Sequence, residues 1–248
     1  MLSDKQIEWN KQIFIETIIN NPILSMMKNT NELLSYLDSS DFYIAPASTN
    51  YHGNYKGGLC EHSLNVFNNL LEIEKIYFKN IPIESRYSKK TLILIALFHD
   101  ICKVGIYKES YRNKKKTDSA GKDILEHGRL IWYQEPYYSI EDSYPLGHGE
   151  KSVIILQEYY TLSINEIMAI RWHMGGYDGL TKDFIGNMTI NKAFQNYPII
   201  TLLHLADLAS IFIKIPTKVC LGSIDVCPCI DECNTVELCR DTITLQEK

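Results

Sequence analysis

The sequence predicts a mostly α-helical protein, a single helical bundle with a small irregular or β-hairpin insertion around 106–147. Three observations lead there. Apolar residues recur at helical spacing along most of the chain. One long stretch, 106–147, breaks that period with six tyrosines, the basic cluster "RNKKK" and several turn formers. No internal repeat, low-complexity tract or linker divides the chain, and its 248 residues, 45 % hydrophobic, suffice for one substantial core.

The elements follow in order. "DKQIEWNKQIFIETIIN" has helical spacing and stops before Pro22, and a second helix covers about 24–37. "SDFYIAPASTNYHGNYKGG" is a loop of turn formers. "LCEHSLNVFNNLLEIEKIYF" suits a long buried helix, and "KKTLILIALFHDICKVG" another, closed by Gly105. A short hairpin is expected around "RLIWYQ". Helical pattern returns in "HGEKSVIILQEYY", "SINEIMAIRWHM" and "YPIITLLHLADLASIFI". Residues 1–50 therefore read as helices packed on a core of 51–215, followed by a cysteine-rich tail of 216–248.

The net charge of −5 argues against an extended duplex nucleic acid as partner. It leaves room for a nucleotide or a single-stranded end. The N-terminus has no basic start or apolar signal core, and "LILIALF" falls far short of the roughly 20 residues that span a bilayer. The expectation is a cytoplasmic protein without a membrane partner, its oligomeric state open. Cys60 and Cys102 read as small buried hydrophobes. Cys220, Cys227, Cys229, Cys233 and Cys239 lack the paired C-x2-C spacing of a zinc site. They suit an extension without catalytic role, with a structural zinc or local disulfides as the alternatives.

His62, the adjacent His99 and Asp100, His148, His173 and Asp207 lie on or beside five separate apolar segments. Such groups are costly in a core unless paired or bound to metal. Imidazole and carboxylate without thiolate suit one or two ions of Mn, Fe, Co, Ni or Zn. With two ions, Asp100 is the natural bridge, and the pair would activate a water and neutralise a phosphoryl oxygen.

The order His…His-Asp…His…His…Asp resembles the HD-domain superfamily of metal-dependent phosphohydrolases. "APASTNYHGNYKGGLCEHSLNV", "LFHDICKVG", "GHGEKSV", "IRWHMGG" and "HLADLAS" are similar to successive motifs of bacterial 3′-to-5′ exoribonucleases of the YhaM type, over residues 40 to 212. The resemblance implies His62, His99, Asp100 and Asp207 around one metal, Mn favoured, and His148 and His173 with Asp100 around a second. It implies Lys103 on a substrate phosphate and His52 as a substrate contact or proton donor.

The catalytic set is then Asp100, Lys103, His148 and His173. Arg171, Tyr177 and Asp178 of "RWHMGGYD" join His52 and Lys103 as candidate substrate contacts. His204, three residues before Asp207, shares its helical face; it is grouped with the substrate candidates and either orients the neighbours of Asp207 or packs in the core. His127 reads as a surface residue. Arg112, Lys114, Lys115 and Lys116 either screen a polyphosphate or RNA backbone or are simply solvated.

Those exoribonucleases carry an OB-type domain ahead of the HD domain. The fifty residues here read as helix instead, which favours a nucleotide, cyclic nucleotide or short single-stranded oligonucleotide as substrate. Three alternatives stay open: a 3′-to-5′ exoribonuclease on RNA ends, a di-iron oxygenase, and a nucleotide-binding sensor without turnover.

Overall fold

The computed structural model describes residues 2–144 and 146–213. The five tail cysteines and segment 216–248 lie outside the described residues. At the centre stands α5 (Lys89–Phe98), begun by the Ser88 side chain accepting from Thr91 N. Every residue from Leu92 to Phe98 is buried. A helix apolar all round is stable only when surrounded. Here α1 (Asp4–Ile19), α4 (Gly58–Phe78) and α7 (Ile164–Trp172) surround it. α9 (Ile199–Phe212) lies on α4 and α7, and α6 (His148–Gln157) packs on α7. The fold is mostly helical, as the periodicity predicts.

α1 starts with a capping box in which Ser3 and Gln6 satisfy each other's backbone donors. Its Phe14 meets Phe42, Tyr43 and Phe98 edge-on, at centroid distances of 5.0, 5.9 and 5.5 Å. Such pairs contribute about 1 kcal/mol each beyond their buried area. Phe98 immediately precedes His99, so this aromatic cluster also anchors the end of α5 from which a candidate ligand projects.

Several expectations need correction. The helix expected at 24–37 is two: α2 (Pro22–Met26) and α3 (Thr30–Ser39). Asn21 caps α2 by accepting from Leu24 N, with Pro22 in the first turn, so the helix begins early. Met27 is then extended, and Thr30 Oγ1 donates to Leu24 O at 2.5 Å, which takes up an end carbonyl. The helix expected to run to Gly105 ends at Phe98; a 3-10 turn (Ile101–Lys103) follows before Gly105 turns the chain at φ 73°. α8 (Phe184–Asn196), capped by Asp183, has no counterpart among the predicted helices. It buries only Ile190 and Ala193, too thin a stripe to stand out among the turn formers around it.

The insertion is more regular than its composition predicts. β1 (Tyr107–Lys115) pairs antiparallel with β4 (Trp132–Ile140), Tyr107 opposite Ile140 and Lys115 opposite Trp132. β2 (Leu125–Glu126) and β3 (Arg129–Leu130) close the tip. His127 and Gly128 turn there with φ 52° and 76°, and paired left-handed residues match the twist of the strands they join. "RLIWYQ" therefore covers only part of the returning arm. Among the described residues no helix packs along either long strand. The stem is held at its base, where Tyr107 donates to Ala47 O at 3.3 Å, Gly105 N to Asp41 at 2.8 Å, and Lys151 to Asp142.

Candidate metal centre

Five helical segments bring six side chains to one place. His62 sits on the second turn of α4, and His99 and Asp100 directly follow α5. His148 opens α6, His173 directly follows α7, and Asp207 lies on α9. His62 Nε2 lies 3.2 Å from His99 Nε2, 3.3 Å from Asp207 and 3.6 Å from Asp100. His148 Nε2 lies 2.5 Å and His173 Nε2 3.6 Å from the other Asp100 oxygen. All but His148 are buried; its side chain is 33 % exposed.

The far nitrogens decide what the near ones can do. His99 Nδ1 donates to Ala96 O at 2.8 Å and His173 Nδ1 to Ile170 O at 2.7 Å. Each thereby satisfies a carbonyl that its helix end leaves open. The Ser210 hydroxyl donates to Asp207 O, so it accepts from His62 Nδ1, 3.1 Å away. Three rings are thus fixed with Nδ1 protonated, and in the neutral form each presents an Nε2 lone pair. Burial keeps His62 and His173 below the ordinary histidine range. His99 runs the other way: burial opposes its charge, but Asp100 and Asp207 raise it.

His173 Nε2 is fully buried with no hydrogen-bond partner. A lone pair beside a carboxylate oxygen, with no proton to share, fits a cation. His62, His99 and Asp100, then His99, His173 and Asp207, then Asp100, Cys102 and His148 form groups whose ligand atoms lie within 4.8 Å of one another. These groups can hold a metal ion.

Lys103, buried beside them, donates to Asp100 at 2.6 Å. Burial alone would raise the Asp100 pKa, but Lys103, His99 and His148 together hold it well below the carboxylate range. For His148, burial is outweighed by Asp100, which pushes it up to about 10. Its Nδ1 lies 3.4 Å from the Cys102 sulfur. The His52 ring stands 4.8 Å from that of His62, and its buried Nε2 has no partner. Burial, then His62 and Lys103, lower His52 to about 4.

Other sequence candidates lie one step away. Arg171 bridges Glu150 at 2.5 Å and Asp178 at 2.6 Å and stacks on Trp172, while Tyr177 is 66 % exposed. His204 Nδ1 lies 2.6 Å from His173 O, so it supports the turn that carries His173 rather than Asp207. Where α6 meets α7, a Cβ on Gly149 would fall 2.2 Å from Arg171 O. Sequence reasoning missed Ser210 as a ring holder, though it closes the "HLADLAS" motif, and missed the contact of Cys102, read there as a plain hydrophobe.

No family model, curated protein or solved structure matches the chain. Among the described residues no helix is long and apolar enough to cross a membrane.

Proposed function

We propose that the chain is a metal-dependent phosphohydrolase of the HD-domain kind, hydrolysing a phosphate ester of a nucleotide, cyclic nucleotide or short oligonucleotide. One observation carries the reading. Imidazole lone pairs and two carboxylates converge from five helical segments on one buried locus, with the Lys103 ammonium bonded into it. His62, His99, Asp100, His148, His173 and Asp207 would hold one or two divalent ions, for which imidazole and carboxylate suit Mn, Fe, Co, Ni or Zn; Mn is favoured. When bound, such a metal polarises a phosphoryl oxygen and makes water a nucleophile at neutral pH.

The chain's own groups do the rest. Lys103 adds fixed positive charge where the phosphoryl oxygens gather charge. With a single ion that leaves His148 free, His148, the most exposed of the six rings and carboxylates, would deliver a proton to the leaving oxygen; with His148 bound to metal, His52 would take that role. His52 Nε2 takes a hydrogen bond from substrate. The Glu150–Arg171–Asp178 bridge keeps the turn after His173 in place.

A hydrolysis panel with added Mn²⁺ tests this, comparing wild type with Asp100→Ala on nucleoside mono- and triphosphates, cyclic nucleotides and a 5′-labelled RNA oligomer. Product from wild type alone is expected. Equal inertness of both proteins, with metal bound to wild type, would overturn it; bound iron with oxygen-dependent turnover would replace it with the oxygenase.

A further inference from the structure

We propose that Cys102 is a positioning residue for the metal centre: its sulfur accepts a hydrogen bond from His148 Nδ1 and so holds Nε2 toward an ion shared with Asp100 and His173. Its effect on turnover rests on the phosphohydrolase reading; its effect on ion binding does not.

Two rings and one oxygen frame a place for a cation. His148 Nε2 and His173 Nε2 face the same Asp100 oxygen, at 2.5 and 3.6 Å, and the two ring centroids are 5.5 Å apart. His173 Nε2 is buried without a hydrogen-bond partner, while its Nδ1 is tied to Ile170 O. For an ion to sit there, His148 must also offer Nε2 as a lone pair, so its ring proton must sit on Nδ1. A ligating histidine almost always donates that second N–H to an acceptor, which fixes the tautomer and the angle of the ring.

The source of the acceptor depends on which end of a helix the histidine occupies. His99 and His173 follow the C-terminal ends of α5 and α7, and each bonds the carbonyl three residues back. Those carbonyls are free because the helix has ended. His148 is the first residue of α6, where a helix leaves N–H groups open and carbonyls engaged. Its acceptor must therefore come from another element. Cys102, on the 3-10 turn that follows Asp100, brings its sulfur to 3.4 Å from Nδ1.

A second bond keeps Cys102 in that place. Its backbone N–H donates to Ser152 Oγ at 3.3 Å, and Ser152 is fully buried. Ser152 lies four residues after His148, on the same face of α6. Cys102 thus grips α6 at two points one turn apart. His148 needs the grip more than the other rings do, since its side chain is 33 % exposed and has the least packing around it. The two ring nitrogens lie on opposite flanks of the imidazole. An ion on Nε2 has the ring between itself and the sulfur, so Cys102 orients a ligand and is not one.

The test titrates Mn²⁺ into the metal-free full chain by calorimetry and follows Mn²⁺-dependent hydrolysis of bis(p-nitrophenyl) phosphate in parallel. Cys102→Ala is expected to weaken Mn²⁺ binding by about tenfold to a hundredfold, the usual cost of losing such a partner. Cys102→Ser keeps an acceptor and is expected to recover most of that loss. In a His148→Ala background, the same Cys102→Ala change should alter affinity by no more than about twofold, as for a residue with nothing left to position. Cys102→Val takes the place of the alanine variant if that variant does not fold. Should His148→Ala bind no Mn²⁺, the serine rescue decides.

An undiminished Cys102→Ala effect in the His148→Ala background would overturn the proposal, because the cysteine would then act through packing alone. So would a serine variant as weak as the alanine one, or Mn²⁺ bound equally by Cys102→Ala and wild type. A sulfur-to-cobalt absorption band in the Co²⁺-loaded wild type that Cys102→Ser removes would also overturn it, by making Cys102 a ligand; the tail cysteines are common to both chains. If the coupling to His148 holds while the protein hydrolyses nothing, Cys102 keeps its role and the phosphohydrolase reading falls. If hydrolysis proceeds without that coupling, the reverse is true.

Discussion

Glu166 and Asp100 are both buried carboxylates, at 0 % and 3 % exposure, yet their neighbours differ in kind. Glu166 accepts from Ser163 N at 2.7 Å, Ser163 Oγ at 2.9 Å, Thr91 Oγ1 at 2.9 Å and Lys90 at 3.1 Å. All of these are donors, and the group is closed. Asp100 accepts from Lys103 and His148, but it also faces the Nε2 atoms of His62 and His173 at 3.6 Å, whose protons sit on the other side of the ring. Burial alone therefore does not mark a functional carboxylate. What sets Asp100 apart is that some of its neighbours, His62 and His173, have no proton to give it.

Swapping each for its amide separates the two most sharply. Asp100→Asn is expected to lower turnover at least about a hundredfold, since it removes the charge at the centre of the site. Glu166→Gln is expected to leave turnover within about twofold. In urea titrations Glu166→Gln does register: breaking the Glu166–Lys90 pair costs about 3 kcal/mol, as for other buried pairs. A Glu166 variant that lost turnover without losing stability would break the comparison.

Removing the ion tests the same contrast. A metal present at a thousandfold excess over its Kd stabilises the native state by about 4 kcal/mol. A chelator should therefore lower the Tm of wild type and of Glu166→Gln equally, and leave that of Asp207→Asn unmoved. Lys103→Met is next in size, an expected drop in kcat of about tenfold to a hundredfold. Metal content measured alongside should stay within a factor of two.

The last contrast lies in the pH profile. Burial would raise the Glu166 pKa, but the Ser163 and Lys90 bonds lower it. Its stabilisation is therefore present above the unfolded value of about 4.3 and lost as pH falls through the lowered one. His148 is raised to about 10. In metal-free protein its stabilisation is present below the unfolded value of about 6.5 and lost as pH rises toward about 10. Urea midpoints across this range should show both limbs. Glu166→Gln should reduce the acid limb and leave the alkaline one as it is, and metal should flatten the alkaline one, because ligation displaces the His148 proton.

Much of the helical frame was legible because apolar spacing survives in single residues: Leu92 to Phe98 announce a central helix, and the polar groups beside such runs stand out. The hairpin was only half legible. Its strands are solvated on both faces over most of their length, so no alternation of apolar and polar residues marks them. α8 stayed hidden because its buried stripe is two residues wide. The ring-fixing carbonyls of Ala96 and Ile170 carry no side-chain signature at all, although they determine which nitrogen of His99 and His173 faces the site. His204 was placed on the correct helix, but its partner is a backbone oxygen 31 residues away.

The bare α-carbon of Gly149 carries a further consequence. It lets the main chains of α6 and α7 touch, one residue after His148 and two before His173. The gap between those two rings is thus gauged by peptide against peptide, like the fixed jaws of a calliper. One added methyl at that point acts as a wedge. Gly149→Ala should open the jaws and shift preference toward larger ions while every ligand remains in the chain.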